Sequence, residues 1–191
     1  MLNGPLLWYL NRSTGFVLLI LLTLSVVLGI IAAGSTHGRP AQGLPRFFSQ
    51  SVHRNIALLS VLLLAAHVTT AVVDSFVDIR WWQAVVPFGA TYQPLWLELG
   101  ALALDLIVAV VLTSLFRTRM RNRSWRLIHL LSYLAWGIAV VHGVGIGTDM
   151  TLANPWGLVV TGVCVLIVLL AAGWRLTRVG LGRDELVRST V

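Results

Sequence analysis

Five apolar runs, each long enough to cross a bilayer, leave this chain little choice of architecture. They fall near residues 15–33, 53–73, 95–116, 126–146 and 155–174. A hydrocarbon core roughly 30 Å thick is crossed by about 20 residues of helix. The runs are continuous rather than alternating, and their length selects helix over strand. The expected fold is therefore all-α: an integral membrane bundle of about five transmembrane helices, one domain over residues 1–191. Only 11% of the chain is charged, against roughly 25% in a soluble domain. A single cysteine, Cys164, excludes an intramolecular disulfide and a cysteine-ligated cluster or zinc site.

The net charge of +7 does not point to nucleic acid, because the arginines collect at helix ends. With five spans, twelve of the fourteen arginines fall on one side, in segment 34–54, loop 117–126 and the C-terminal tail; only Arg12 and Arg80 fall on the other. The positive-inside rule then puts the N-terminus outside and the C-terminus in the cytoplasm. Seven of the eight tryptophans (all but Trp136) lie near the interfaces, as an aromatic belt requires. The first run competes with a signal peptide cleaved near Ile31–Gly34. Its 19 residues are long for a signal core, so a retained helix is expected.

Histidine is the informative residue. Of five, His37 sits in a loop, while His53 and His67 lie in the second run and His129 and His142 in the fourth. The spacings are 14 and 13 residues, or about 20 Å along each helix axis. Both helices run outward from the cytoplasm, so His53 and His129 share the inner level and His67 and His142 the outer. Ionisable groups inside a membrane are costly and functional by default. Neutral imidazole is a good axial ligand for haem iron. Two stacked haems are the expectation, and hydrogen-bonded core histidines are the competing reading. One detail resists. Fourteen residues return to within roughly 40° of the starting face, but thirteen land about 140° away. Tilting or distortion of the fourth helix, which carries Gly137, Gly143 and Gly145 with Gly147 just beyond, would be needed to turn His142 toward the second.

Other residues take their meaning from these levels. Trp136 falls between His129 and His142, where it either packs between the haems and assists transfer or simply fills the core. Ser60 sits midway between His53 and His67 and leaves room there or helps helices pack. Asp105, mid-span, either carries protons or is a hydrogen-bonded structural residue. Haem propionates want arginine forks: Arg54, Arg126, Arg39 and Arg46 on the inner side, and Arg12 and Arg80 on the outer. Loop 74–94, with Trp81, Trp82 and Phe88, reads as a segment lying at the membrane surface over the outer level, as a lid or a docking surface.

The matched spacings on two parallel helices, with Ala57–Val73 and "WRLIHLLSYLAWGIAVVHGVGIGT" from Trp125, resemble the ferric reductase-like transmembrane domain. That domain is shared by NADPH oxidases, ferric reductases and the haem subunit of the methionine sulfoxide reductase system. The likeness covers about Trp8 to Trp174. It implies a bundle of six helices or fewer and two b-type haems, with His53 paired to His129 and His67 to His142. Unlike the larger members, the chain has no dinucleotide fingerprint, so its electrons would come from quinol or a redox protein. A ferric or extracytoplasmic flavoprotein acceptor is implied on the far side. The expected function is a transmembrane b-type cytochrome. The alternatives are a haem subunit of an extracytoplasmic reductase, and a transporter or haem-handling protein without redox chemistry.

Overall fold

The computed structural model describes residues 5–34, 46–74, 77, 79–147, 150, 151 and 155–188. Among them are five long helices: α1 (Pro5–Gly34), α2 (Arg46–Val73), α3 (Pro94–Leu115), α4 (Asn122–Ile146) and α5 (Trp156–Arg188). All five are long and apolar enough to cross a membrane, and the chain is an all-α, multi-pass membrane protein. His37 and Arg39 lie outside the described residues, as does the side chain of Arg46.

Each helix covers most or all of an apolar run read from the sequence; α3 and α4 follow theirs closely, α2 begins seven residues before residue 53, and α5 continues 14 residues past 174. α1 starts at Pro5, well before residue 15. A proline suits the first turn, where its missing N–H has no helical partner. The added turns carry Asn11 and Arg12, polar residues that the apolar run leaves out. They stay helical because they face the bundle interior: Asn11 Nδ2 donates to the His67 carbonyl at 2.8 Å and to Thr70 Oγ1 at 3.2 Å.

α1 is the organising helix. It packs along α2 and α5 and touches α4, while α3 packs on α4. Its buried side chains Leu7, Phe16, Leu18, Val26 and Ile30 run its whole length. Val26, Ile30 and Val168 form a core cluster joined by Tyr133 and Trp136. Trp136 Nε1 donates to buried Thr23 Oγ1 at 3.0 Å, tying α4 to α1 at mid-depth. Two hairpins result, α1–α2 and α3–α4. Among the described residues α2 and α4 do not pack directly on each other. Space between these two helices is what positions the site.

Residues 79–93 of the α2–α3 connection form a cover. Arg80 N–H donates to Gln83 Oε1 at 2.9 Å, Gln83 Nε2 to the Gly89 carbonyl at 3.1 Å, and Gly89 N–H to Glu98 Oε1 at 3.1 Å. Gln83 is buried at the centre of this chain of bonds. Gly89 has φ +88, open to glycine at no steric cost. Trp81 and Phe88 stand outward, each 74% exposed. The outer face of this cover is therefore partly apolar at the end of two candidate spans.

Candidate functional site

The four intramembrane histidines occur at two levels. At one end of the bundle, beneath the cover, His67 and His142 line a cavity of about 230 Å³. All five long helices contribute to its wall, with Gly15 and Phe16 of α1, Val68 of α2, Gly100 and Leu104 of α3, Ala139 of α4 and Thr161 of α5. Val77, Ile79 and Tyr92 close it from the α2–α3 connection.

Each of these imidazoles leans on a helix other than its own. His67 Nδ1 lies 3.1 Å from the Asn11 carbonyl of α1, and His142 Nδ1 lies 2.6 Å from the Trp96 carbonyl of α3. A carbonyl only accepts, so Nδ1 carries the hydrogen in both rings. In the neutral ring Nε2 then keeps its lone pair, the state a metal ligand requires. Glycine makes the close approach possible. A Cβ on Gly15 would sit 3.2 Å from His67 Cε1, and one on Gly100 would sit 2.7 Å from His142 Cε1. A Cβ on Gly145 would overlap the Trp96 ring.

The 13-residue offset is resolved here, and not by distortion: α4 is an unbroken α-helix from Asn122 to Ile146. His142 turns toward α3, whereas His129 turns toward α2. A Cβ on Gly137 or Gly143 would meet open space.

At the opposite end, the His53 and His129 ring centres are 6.2 Å apart, with planes at 63°. An ion held between two imidazole nitrogens at about 2 Å each would separate the ring centres by about 6 Å. His53 Nδ1 lies 3.4 Å from Ser25 Oγ. Trp125 stacks on His129 with centres 5.0 Å apart and planes at 25°, and the Arg117 guanidinium covers Trp125 at 4.4 Å. Among the described residues His129 Nδ1 and Trp125 Nε1 are buried without a hydrogen-bond partner.

The remaining expected residues are distributed unevenly. Arg12 lines the cavity with His67 and His142, its guanidinium 4.5 Å above the Phe16 ring. Arg80 is exposed and begins the cover's 3-10 turn (Trp81–Ala84), away from the cavity wall. Arg54 and Arg126 are exposed. Trp136 turns into the α1–α5 core and lines no part of the cavity. Ser60 is buried and bonds the Ile56 carbonyl. Asp105 lies outside the cavity wall. Sequence reasoning missed Asn11, Gly15, Trp96, Gly100, Arg117 and Trp125 as site residues. The glycines had a signal, since a lone glycine within a helical run suggests close approach; the others had none.

The donor set is selective about what it suits. Among the described residues no three histidine, cysteine or acidic side chains converge on a metal position. A bare zinc ion takes about three or four protein ligands. A pair of opposed histidines suits a metal that brings its own equatorial donors, as haem does. The apolar wall, the fixed tautomers and the unpartnered donors beside His129 fit that group. No curated protein matches the chain. A family model for a domain of unknown function, DUF8596, matches residues 6–149, and the chain belongs to that family.

Proposed function

We propose that the chain is a transmembrane b-type cytochrome that carries electrons across the membrane through two bis-histidine haems. The observation that carries this reading is the recurrence of one arrangement at two depths: a histidine from α2 and one from α4, in helices that do not pack on each other. Bound haem would supply one-electron redox chemistry. The chain's own part is positional. Asn11 and Trp96 carbonyls hold His67 and His142 in the ligating tautomer, and Trp125 holds the plane of His129. Mostly apolar side chains line the cavity, and Arg12 lies in its wall.

The arginine asymmetry of the sequence favours a bacterial inner membrane with the His53–His129 level inside. A quinol or a redox protein would be the donor, and a ferric ion or an extracytoplasmic flavoprotein the acceptor. The exposed aromatic cover over the His67–His142 level favours a second reading of the same chemistry, a haem subunit of an extracytoplasmic reductase. Recovery of no redox protein after cross-linking in native membranes would count against that elaboration alone.

Purified protein in mild detergent, with haem counted per chain and spectra of oxidised and dithionite-reduced forms, tests the proposal. Two low-spin b-type haems are expected. No haem after growth with ample supply would overturn it and favour a transporter or haem-handling role.

A further inference from the structure

Asp105 lies at the centre of α3, about 15 Å from either helix end. That is the middle of a hydrocarbon core, and an aspartate side chain is too short to reach either surface. The cavity is lined by Leu97, Gly100, Ala101, Ala103, Leu104 and Ile107, whose mean direction lies about 120° around the helix from Asp105. At 100° per residue Asp105 falls instead among the exposed side chains Leu102 and Leu112. Among the described residues its carboxyl has no hydrogen bond or ion pair. α3 is also peripheral: of the other long helices it packs on α4. A partly exposed carboxyl facing lipid at mid-depth is a costly arrangement that evolution keeps where something meets it.

We infer that this face of α3 is a homodimer interface, with Asp105 of two copies paired across a two-fold axis. The membrane fixes both the depth and the direction of every copy. A closed two-fold axis must then lie along the membrane normal, which sets each residue of the interface opposite itself at equal depth. The arginines of the spans, Arg12, Arg54, Arg123, Arg126, Arg175 and Arg178, lie toward span ends, so within these spans no arginine stands at the depth of Asp105. A second Asp105 does offer a partner, because a neutral carboxyl donates one hydrogen bond and accepts another. Ala109, one turn further along, is small enough to allow close approach of the helices. Glu98, two turns in the other direction, is already held by its own Gly89 N–H. This inference does not depend on haem.

Full-length protein with Cys164→Ser, reconstituted dilutely in phosphatidylcholine–phosphatidylglycerol vesicles, tests it. Leu102→Cys and Ala109→Cys, made singly, should form covalent dimers on mild oxidation. Val163→Cys, on the exposed face of α5, should not. Single-molecule bleaching should count two subunits for the parent chain and for Asp105→Asn, which keeps a donor and an acceptor. Asp105→Leu should lower the dimer fraction at least tenfold with helicity unchanged. Monomers at every protein-to-lipid ratio, dimers indifferent to Asp105→Leu, or cross-links through α5 instead of α3 would each overturn the proposal.

Discussion

Substituting Gly100 by alanine separates the site from the fold more cleanly than removing a histidine does. The new Cβ would stand 2.7 Å from His142 Cε1 and 2.8 Å from Nδ1. Carbon atoms settle at about 3.5–4.0 Å, so the imidazole must retreat by about 1 Å. The Trp96 carbonyl that anchors Nδ1 is one turn earlier on the same helix, so the retreat lengthens that bond from 2.6 Å to about 3.6 Å, beyond hydrogen bonding. Three effects compete. Alanine in a helix interior gains about 1 kcal/mol over glycine. Overpacking costs about 1–3 kcal/mol, and the lost bond about 0.5–1.5 kcal/mol. The first gain acts on α3 as a whole, whereas the two losses fall on His142. Overall stability should therefore change by no more than about 3 kcal/mol and the protein should still fold. Haem affinity at the His67–His142 level should drop by about 2–4 kcal/mol, or about 30- to 700-fold. Titrating haem into apoprotein and following the Soret band reads this directly. One site should keep its affinity and the other weaken. Two sites of unchanged affinity in Gly100→Ala would show that His142 is not held as an iron ligand by α3, and would falsify the reasoning.

Removing the ligands themselves should divide the haems by level. His67→Ala or His142→Ala should leave one haem per chain, and so should His53→Ala or His129→Ala, with a different residual spectrum in the two sets. Trp125→Leu removes an aromatic stack of about 0.5–1.5 kcal/mol and frees the His129 ring. The low-spin electron paramagnetic signal of that haem should shift while haem content holds, and an unchanged signal would discount the stack. Asn11→Ala deletes two side-chain bonds across α1 and α2 and should cost about 1–3 kcal/mol, read as a lower melting temperature. Thr23→Val is nearly isosteric and leaves Trp136 Nε1 without its acceptor. A loss of about 1–3 kcal/mol is expected, with both haems retained because Trp136 is outside the cavity wall.

The helices were legible because a membrane demands them. Long apolar runs allow one local structure, and α3 and α4 follow them to within a few residues. α1 was read short because Asn11, Arg12, Ser13 and Thr14 look like the end of a span. Periodicity within one segment cannot reveal that polar residues are paired to another helix, as Asn11 is to His67. The aromatics mark the cover over the cavity, but the Gln83 side chain ties it together through its bonds to the Arg80 N–H and the Gly89 carbonyl.

The site was half legible for a related reason. Depth is a one-dimensional quantity, so counting residues along α2 and α4 assigns each histidine its level. Direction around the helix is not, once neighbours intervene. On spacing alone a straight α4 turns His142 away from the face used by His129. The structure keeps α4 α-helical throughout and shares the work among four helices: α1 supplies the acceptor and the glycine for His67, and α3 supplies both for His142. The histidine pairs sit on α2 and α4, but the chemistry of the second level depends on Asn11, Gly15, Trp96 and Gly100, which belong to neither. A chain keeping all four histidines but carrying bulky residues at positions 15 and 100 should therefore bind haem at one level only.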